Sequence, residues 1–383
     1  MDFHKYFSSG KRYLEIGPLD NPFLRKDKYN VRYLDYNDTE TVKTLYANSY
    51  AKLDSIVDID YATHGRSYKE TIGDGIFDGV YSSHVIEHTT DLIAHFQDVA
   101  DILEEGGSYY IVYPDKTHYA DYFRQNTTFR EVYDVYRKPN TVIACEVAES
   151  VNNVAYQYDT SDFHNGEISF LQNIFLDEER EKLVNRIYES DDPVRLSPMC
   201  HKWVFDEKSM LEIIRDCIRY KLIPFCVEET FCTSNETNFD AFVILKKKTD
   251  ILFKHDVRIK ELLRIERKIE KIQNLNSPLT TILDNLSFKD FYIYGTGAYG
   301  VKVYNWLKSE HANLKGFLCS DNQLVKKDIL PAEMLDNVHM ISEFIQPPKS
   351  FIIVAVRTMN SRSQIENEMK TRKLKKFKDY VCV

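Results

Sequence analysis

The chain has 383 residues, of which 43% are hydrophobic and 28% are charged, and its net charge is −9. That length and composition predict two or three domains with full hydrophobic cores, and the dispersed Lys and Arg residues disfavour a nucleic-acid substrate. No stretch approaches the ~20 apolar residues that span a membrane, and the first residues carry no apolar signal core. We therefore expect a cytoplasmic protein without a membrane span.

Short apolar runs alternate with helical stretches over residues 1 to about 120. The predicted strands cover residues 13–17, 31–36, 55–60, 77–82 and 107–114. A predicted amphipathic helix over 91–105 ends at two glycines, and a strand follows at once. This rhythm predicts a parallel, Rossmann-like α/β sheet whose strands end at one common edge.

Residues 115–250 are less regular, with loops rich in Tyr, Asn and Asp. Helices are predicted over 177–188 and 206–220, and two antiparallel strands over 225–233 and 238–246.

Residues 251–286 are predicted to be helical and charged. An apolar seam along them is formed by Ile259, Leu262, Leu263, Ile269 and Ile272. We interpret the seam as a helix packed on its own chain. Because fewer than three heptads are clean, a coiled coil that forms a homodimer is the alternative.

A second, smaller α/β unit is predicted over residues 287–383, with strands over 291–294, 314–318 and 351–356. Its sequence GTGAYG at 295–300 follows the first strand and opens a helix, and Asp321 lies about one βαβ arm later. That pattern is typical of a dinucleotide site and favours NAD as one reading. The unit is too short for a complete dehydrogenase, so a sugar-nucleotide site, an oligomer contact and a purely structural role stay open.

Three motifs of the first unit lie at predicted strand ends: YLEIGP at 13–18, VRYLD at 31–35 and FDGVYSSHVIEH at 77–88. In this order they resemble the class I methyltransferases that depend on S-adenosyl-L-methionine (SAM). The run SHVIEH resembles a signature of methyltransferases encoded in polysaccharide gene clusters. The resemblance implies a methyltransferase domain over 1–250 with a cap over about 115–200, a helical linker over 251–286 and an appended Rossmann-like domain over 287–383.

The resemblance implies SAM as cofactor and assigns four residues to it. Gly17 ends the first strand, where the missing side chain admits the ligand. Glu15 either holds the following loop or reaches the amino-acid tail of SAM through water. Asp35 is expected to accept from both ribose hydroxyls, because a carboxylate has two oxygens to meet two vicinal O–H groups. Asp60 is expected to accept from the adenine amino group.

The end of the fourth strand is expected to carry both cofactor and acceptor contacts. Ser82 and Ser83 are predicted to line the floor under the methionine portion of SAM. His84 follows and is predicted to contact the acceptor, where a histidine can act as a base. Glu87 and His88 either join that chemistry or fix the loop and cap the next helix.

A sugar hydroxyl is a poor nucleophile, so its methylation needs a general base or a metal. Asp115 and His118 follow the fifth strand in a PDKTH turn that resembles a motif over the active site of the same methyltransferases. We favour His118 as the base, with Asp115 as the alternative and His164 and His201 as more remote candidates. These two histidines are otherwise expected to contact the acceptor. The seven cysteines form no Cys-x-x-Cys pair and no ligand spacing is clear, so no metal is predicted.

The resemblance implies an O-methyltransferase that acts on a sugar hydroxyl in capsular or other surface polysaccharide biosynthesis. A nucleotide sugar, such as a GDP-linked heptose, is the expected acceptor. The alternatives are a C- or N-methyltransferase acting on a deoxyamino sugar, and a non-catalytic SAM-binding protein that organises an assembly through its C-terminal unit.

Overall fold

The computed structural model describes residues 3–47, 51–119, 121–138, 178–189, 201–232, 240–273, 278–286, 289–321, 325, 328–356 and 359–383. The chain divides into two compact units, Met1–Ile265 and Glu266–Val383. Each unit contains one sheet, with seven strands in the first and five in the second. The boundary between the units lies inside a helix, within the stretch that the sequence predicts as a linker.

The first unit alternates strands and helices. Its strands are β1 (Arg12–Ile16), β2 (Asn30–Asp35), β3 (Tyr61–Ala62), β4 (Phe77–Ser83), β5 (Leu103–Pro114), β6 (Phe225–Cys232) and β7 (Asp240–Lys247). Its helices are α1 (Thr39–Leu45), α2 (Tyr68–Ile72), α3 (Leu92–Ile102), α4 (Phe129–Arg137), α5 (Glu178–Glu189), α6 (Glu207–Arg219), α7 (Asp250–Phe253) and α8 (His255–Ile272), of which α8 runs on into the second unit.

The sheet of the first unit has the strand order β3-β2-β1-β4-β5-β7-β6. The strands from β3 to β5 are parallel, and β7 runs antiparallel to both β5 and β6. The carboxyl ends of β1, β2, β4 and β5 therefore meet at one edge, where the amino end of β7 joins them because Pro114 pairs with Asp240. The predicted Rossmann-like α/β fold with a closing hairpin is confirmed.

Aromatic side chains fill one face of this sheet. Phe7 packs with Tyr13, Tyr33, Tyr81 and Tyr110 in a single buried cluster. The opposite face is covered by α3, whose buried positions recur at helical spacing. Asp91 accepts from the amide of the third residue of the helix, which caps its amino end. Apolar side chains thus pack against both faces of the sheet, and polar side chains lie at its edges.

The third predicted strand, over 55–60, is wrong. A short 3₁₀ helix covers Leu53–Ser55, and β3 is only two residues long. The reason is local. The Asp60 carboxylate accepts from the Tyr33 amide at 2.8 Å, so a side chain takes the backbone N–H of β2 that would otherwise pair with a neighbouring strand. The helix predicted over 91–105 also ends earlier, since α3 stops at Ile102. Strand β5 begins at Leu103, three residues before Gly106, whose φ is +80°.

Helix α8 packs against its own chain, in agreement with the favoured reading of the seam. The buried Glu261 carboxylate accepts from the Val227 amide of β6 at 2.7 Å, and Ile265 is fully buried. The predicted seam is only partly right, since Ile259 and Ile272 are each 37% exposed.

The second unit is a parallel α/β sandwich. Its strands are β8 (Asp290–Tyr294), β9 (Asn313–Cys319), β10 (Val338–Met340), β11 (Ser350–Val354) and β12 (Tyr380–Cys382), in the order β10-β9-β8-β11-β12. Its remaining helices are α9 (Pro278–Asn285), α10 (Ala298–Ser309) and α11 (Met359–Thr371). Glycine is required at two positions near the start of α10. Gly295, in the preceding turn, has a φ of +132°, and a Cβ on Gly300, in the first turn of the helix, would lie 1.8 Å from the Gly295 carbonyl oxygen.

Candidate active site

The turn after β1 lies against the segment after β4. Gly17 has a φ of +68°, and its amide donates to the carbonyl of Leu34 at 2.9 Å. A Cβ on Gly17 would lie 2.8 Å from Cγ2 of Val85. Glycine is therefore required here for two reasons, the left-handed backbone and the close approach of a side chain.

Glu15 holds the loop that follows β1. Its side chain is buried, and its two carboxylate oxygens accept from the amides of Phe23 and Leu24 at 2.8 and 2.7 Å. Burial raises the pKa of Glu15 to about 7, although both backbone hydrogen bonds act to lower it. Of the two roles predicted for Glu15, this geometry matches the loop-holding one.

Asp35 closes β2 at the same edge. One of its oxygens accepts from the Asn37 amide at 3.0 Å, and burial raises the pKa of the carboxyl. No Lys, Arg or His of the described residues forms an ion pair with it, and the backbone amides of Asn37 and Tyr36 act to lower its pKa. This is the position that the predicted ribose contact requires.

Asp60 is committed to the protein rather than to a ligand, contrary to the predicted adenine contact. Its carboxylate lies 2.7 Å from Lys26 Nζ and 3.1 Å from Arg32 Nη1, and it also accepts from the Tyr33 amide. Although burial opposes ionisation, the lysine, the amide and the arginine together hold the pKa of Asp60 below its usual range. A carboxylate with three such partners has little capacity left for adenine.

Ser82 points into the core and not toward the predicted methionine floor. It is fully buried, and its Oγ lies 2.9 Å from the Tyr109 hydroxyl. That hydroxyl lies 2.7 Å from His95 Nε2, while His95 Nδ1 lies 2.9 Å from the Tyr68 hydroxyl. Burial lowers the pKa of His95 to about 4, so the chain of hydrogen bonds is neutral. Ser83, one residue on, is half-buried at the sheet edge.

His84 is a cation held between two carboxylates. It leaves β4 with a φ of +54°, and its amide donates to the Val112 carbonyl at 3.0 Å. Its Nε2 lies 3.0 Å from Asp240 Oδ1, and its Nδ1 lies 3.4 Å from Glu87 Oε1. Burial opposes protonation, yet the two carboxylates raise the pKa of His84 to about 10. Because both ring nitrogens of His84 face carboxylates, its ring is poorly placed to take a proton from an acceptor.

Glu87 is fully buried, in a short 3₁₀ helix over Ile86–His88. Neither of its carboxylate oxygens has a hydrogen-bond partner, and His88 Nε2 lies 3.9 Å from Oε1. The Glu87 carbonyl accepts from the amides of Lys202 and Trp203, which ties this loop to the segment that carries His201. Since Asp91 caps α3, the predicted capping by Glu87 and His88 is wrong.

His201 is oriented by a buried ion pair. Its Nδ1 lies 2.5 Å from Asp121 Oδ2, and Arg124 Nη1 donates to Asp121 Oδ1 at 2.8 Å. Despite burial, His201 and Arg124 together lower the pKa of Asp121. The Arg124 guanidinium also donates to the His201 carbonyl at 2.7 Å. The imidazole ring is stacked on Tyr119, with 5.8 Å between ring centroids.

Sequence reasoning named His201 but missed its partners, and it missed the metal-ligating geometry. Glu87, His88 and His201 each present one ligand atom, and these atoms all lie within 4.8 Å of one another. Asp121 and Arg124 had no sequence signal because they carry no motif. We refer to Glu87, His88, His201 and Asp121 below as the acceptor cluster.

The predicted bases lie in the turn after β5. Asp115 is buried and accepts at one oxygen from both the amide and the hydroxyl of Thr117, at 2.9 and 2.7 Å. It thereby caps the short 3₁₀ helix Lys116–His118. His118 is half-buried, with Nδ1 at 2.8 Å from the Thr117 hydroxyl. His164 lies outside the described residues, as does most of the predicted cap.

No helix of the described ranges is both long enough and apolar enough to cross a membrane.

The chain is similar, at low identity, to several solved structures of methyltransferases. A SAM-dependent methyltransferase from Mesorhizobium loti is 12% identical and matches 64% of this chain and 95% of its own, with a TM-score of 0.32. One from Methanosarcina mazei is 15% identical and matches 64% and 96%, also with a TM-score of 0.32. The CurJ carbon methyltransferase is 11% identical, with a TM-score of 0.31. The match covers 64% of the present chain and 51% of the CurJ chain, so the present chain spans about half the length of CurJ.

The sequence matches no curated protein. A family model described as a methyltransferase domain matches residues 2–141, which include β1 to β5, the Gly17 turn, Asp35 and most of the acceptor cluster. The first unit therefore carries a methyltransferase domain, and the protein is a methyl-transferring enzyme.

Proposed function

We propose that the enzyme is an O-methyltransferase that methylates a sugar hydroxyl. The observation that carries this proposal is the His201–Asp121–Arg124 arrangement, a histidine whose ring is fixed by a buried carboxylate. In the reaction the hydroxyl oxygen forms a bond to the methyl carbon, and the carbon–sulfur bond breaks with its electron pair moving to sulfur. The hydroxyl proton must leave, so the acceptor side needs a group that takes it up or acidifies it.

His201 has the geometry for that task. Because Nδ1 is engaged with Asp121, the lone pair that it presents is on Nε2. A nucleophile-activating base is typically oriented by a third group, as Asp121 does here. His84 is less suited to the same role because both of its ring nitrogens face carboxylates, and Asp115 is engaged in its own turn. His118 remains the second candidate.

The acceptor cluster lies beside the expected cofactor site. Gly17, at the end of β1, approaches Val85 within the same short segment as Glu87 and His88. Asp35 closes the neighbouring strand, where its carboxylate would accept from a ribose hydroxyl. Methyl transfer requires donor and acceptor in line, and adjacent strand ends meet that requirement; such positioning contributes ~7–11 kcal/mol in favourable cases.

The sugar and its pathway rest on the resemblance of SHVIEH to methyltransferases of polysaccharide gene clusters. We propose a nucleotide-activated sugar, with a GDP-linked heptose as the first candidate, and capsular or other surface polysaccharide as the pathway. The cluster suits such an acceptor, since imidazoles, carboxylates and the Tyr119 ring offer hydrogen bonds and a flat surface to a polyhydroxylated ring.

The test is incubation of the protein with SAM and a panel of nucleotide sugars, followed by mass spectrometry for the gain of one CH₂. Nuclear magnetic resonance then places the new methyl group. We expect a methyl group on oxygen. A methyl group on carbon or nitrogen of a deoxyamino sugar would replace this proposal by the alternative. Tight SAM binding with no transfer to any sugar would contradict it.

A further inference from the structure

We infer that Glu87, His88 and His201 form a binding site for one divalent transition-metal ion. Its role in methyl transfer, which is to bind the acceptor hydroxyl, rests on the proposed function. The ion itself is inferred from the protein alone, and it contradicts the sequence prediction that no metal is bound.

The first observation is the distance between the three donors. One ligand atom from each residue lies within 4.8 Å of the other two, and Glu87 Oε1 is 3.9 Å from His88 Nε2. Ligands about 2.1 Å from a metal lie roughly 3.0–4.2 Å apart, depending on the angle between them. The donors therefore lie at most about 1 Å farther apart than the ligands of a bound ion.

The second observation is the state of Glu87. Its side chain is fully buried, and neither oxygen has a hydrogen-bond partner. Buried carboxylates normally carry hydrogen bonds, because burial of a bare charge is costly. His84 lies 3.4 Å away but is shared with Asp240, which it contacts more closely. A cation between Glu87 and the two histidines would give this carboxylate a direct partner in addition to its longer contact with His84.

The third observation is the support behind the ligands. Asp121 accepts from His201 Nδ1 and is itself bonded to Arg124, so His201 Nε2 is presented with a fixed ring orientation. A carboxylate behind a ligating histidine is the usual outer shell of a protein metal site. The Glu87 carbonyl is bonded to the amides of Lys202 and Trp203, which fixes the distance between the two ligand segments.

The ligand set selects the class of metal. Two imidazoles and one carboxylate suit Mn²⁺, Fe²⁺, Co²⁺ or Zn²⁺, whereas Mg²⁺ prefers oxygen ligands. Three protein ligands leave coordination positions for the acceptor hydroxyl. With its Nε2 on the ion, His201 would hold the metal and would not itself take up the proton. A hydroxyl bound to the ion would lose its proton to water more readily, and its oxygen would displace the sulfur from the methyl carbon.

Metal binding is measured directly, without SAM or sugar. The full-length protein is stripped with a chelator and titrated with Mn²⁺, with free Mn²⁺ counted by electron paramagnetic resonance, and separately with Mg²⁺ by calorimetry. We expect one Mn²⁺ per chain and at least tenfold weaker binding of Mg²⁺. Mn²⁺ is the probe because it binds thiols poorly, which keeps the cysteines out of the count.

Four variants test the site. Glu87→Gln and His88→Gln should each weaken Mn²⁺ binding more than 100-fold, and Asp121→Asn should weaken it about 10–100-fold through the orientation of His201. His255→Gln, at an exposed histidine that begins α8, is the matched control and should keep one site. If Glu87→Gln fails to fold, as judged by circular dichroism, His88→Gln decides alone.

The outcomes separate this inference from the proposed function. No Mn²⁺ site in the wild-type protein, or a site unchanged in His88→Gln, would overturn the inference even if a sugar is methylated, and His201 would then act as a base. One Mn²⁺ site that is lost in the variants would support it even if no sugar is methylated, and only the proposed function would then fail.

Discussion

Replacement of Asp35 should weaken SAM binding by at least about tenfold. A hydrogen bond to a charged group contributes about 1.5–3 kcal/mol, and two bonds to ribose would contribute about 3–6 kcal/mol. In the structure, one Asp35 oxygen already accepts from the Asn37 amide, so we count one full bond as the minimum. Since 1.4 kcal/mol is a factor of ten, the expected loss runs from about 10-fold to about 10⁴-fold.

Calorimetric titration of Asp35→Asn and Asp35→Ala with SAM measures this loss. The matched control is Asp78→Asn, near the opposite end of β4, where the carboxylate accepts from the Arg12 amide at 2.9 Å. We expect the control to bind SAM as the wild-type protein does. The reasoning is refuted if folded Asp35→Asn binds SAM within twofold of wild type, because Asp35 would then lie outside the cofactor site.

Three further outcomes follow from the geometry. Because burial raises the pKa of Glu15 from 4.5 to about 7, its protonated form stabilises the folded state, and this contribution is present at acid pH and lost as the pH rises through 7. The melting temperature should therefore fall more between pH 5 and 8 in the wild-type protein than in Glu15→Gln; parallel slopes would exclude the effect. His201→Asn should lower turnover about 10²–10⁴-fold with SAM affinity unchanged, and a larger loss in His118→Asn would move the base to His118. A fragment of residues 1–273, which keeps the whole of α8, should bind SAM as tightly as the full chain; a folded fragment without SAM affinity would show that the second unit completes the site.

Local sequence patterns were sufficient for the parts of the site that lie at strand ends. Gly17 and Asp35 follow short apolar runs, so their positions at the sheet edge can be read from strand periodicity. Asp60 could not be read this way. The sequence around Asp60 has the composition of a strand. Its carboxylate, however, accepts from the Tyr33 amide in place of a backbone carbonyl, and residue propensities do not predict such a side-chain contact.

The acceptor cluster depends on contacts between distant residues. Asp121 and His201 are 80 positions apart, and His84 and Asp240 are 156 positions apart. The antiparallel return of β7 brings Asp240 to the edge that carries His84, and the bridge between Asp115 and Phe205 joins the segments of Asp121 and His201. Neither arrangement leaves a spacing in the sequence. The motif SHVIEH predicted that this segment contributes to the active site. The roles of the histidines at the site depend on their partners: His84 lies between two carboxylates, whereas His201 is held at Nδ1 and has its Nε2 directed away from Asp121.

The most direct test of the account is a crystal structure of the protein with S-adenosylhomocysteine, the product of methyl transfer. The account predicts ribose hydroxyls within hydrogen-bond distance of Asp35, at ~2.7 Å, and the sulfur on the side of the cleft that faces His201. A ligand bound elsewhere, for example at the Gly295–Gly300 turn of the second unit, or with its sulfur facing away from the acceptor cluster, would contradict it.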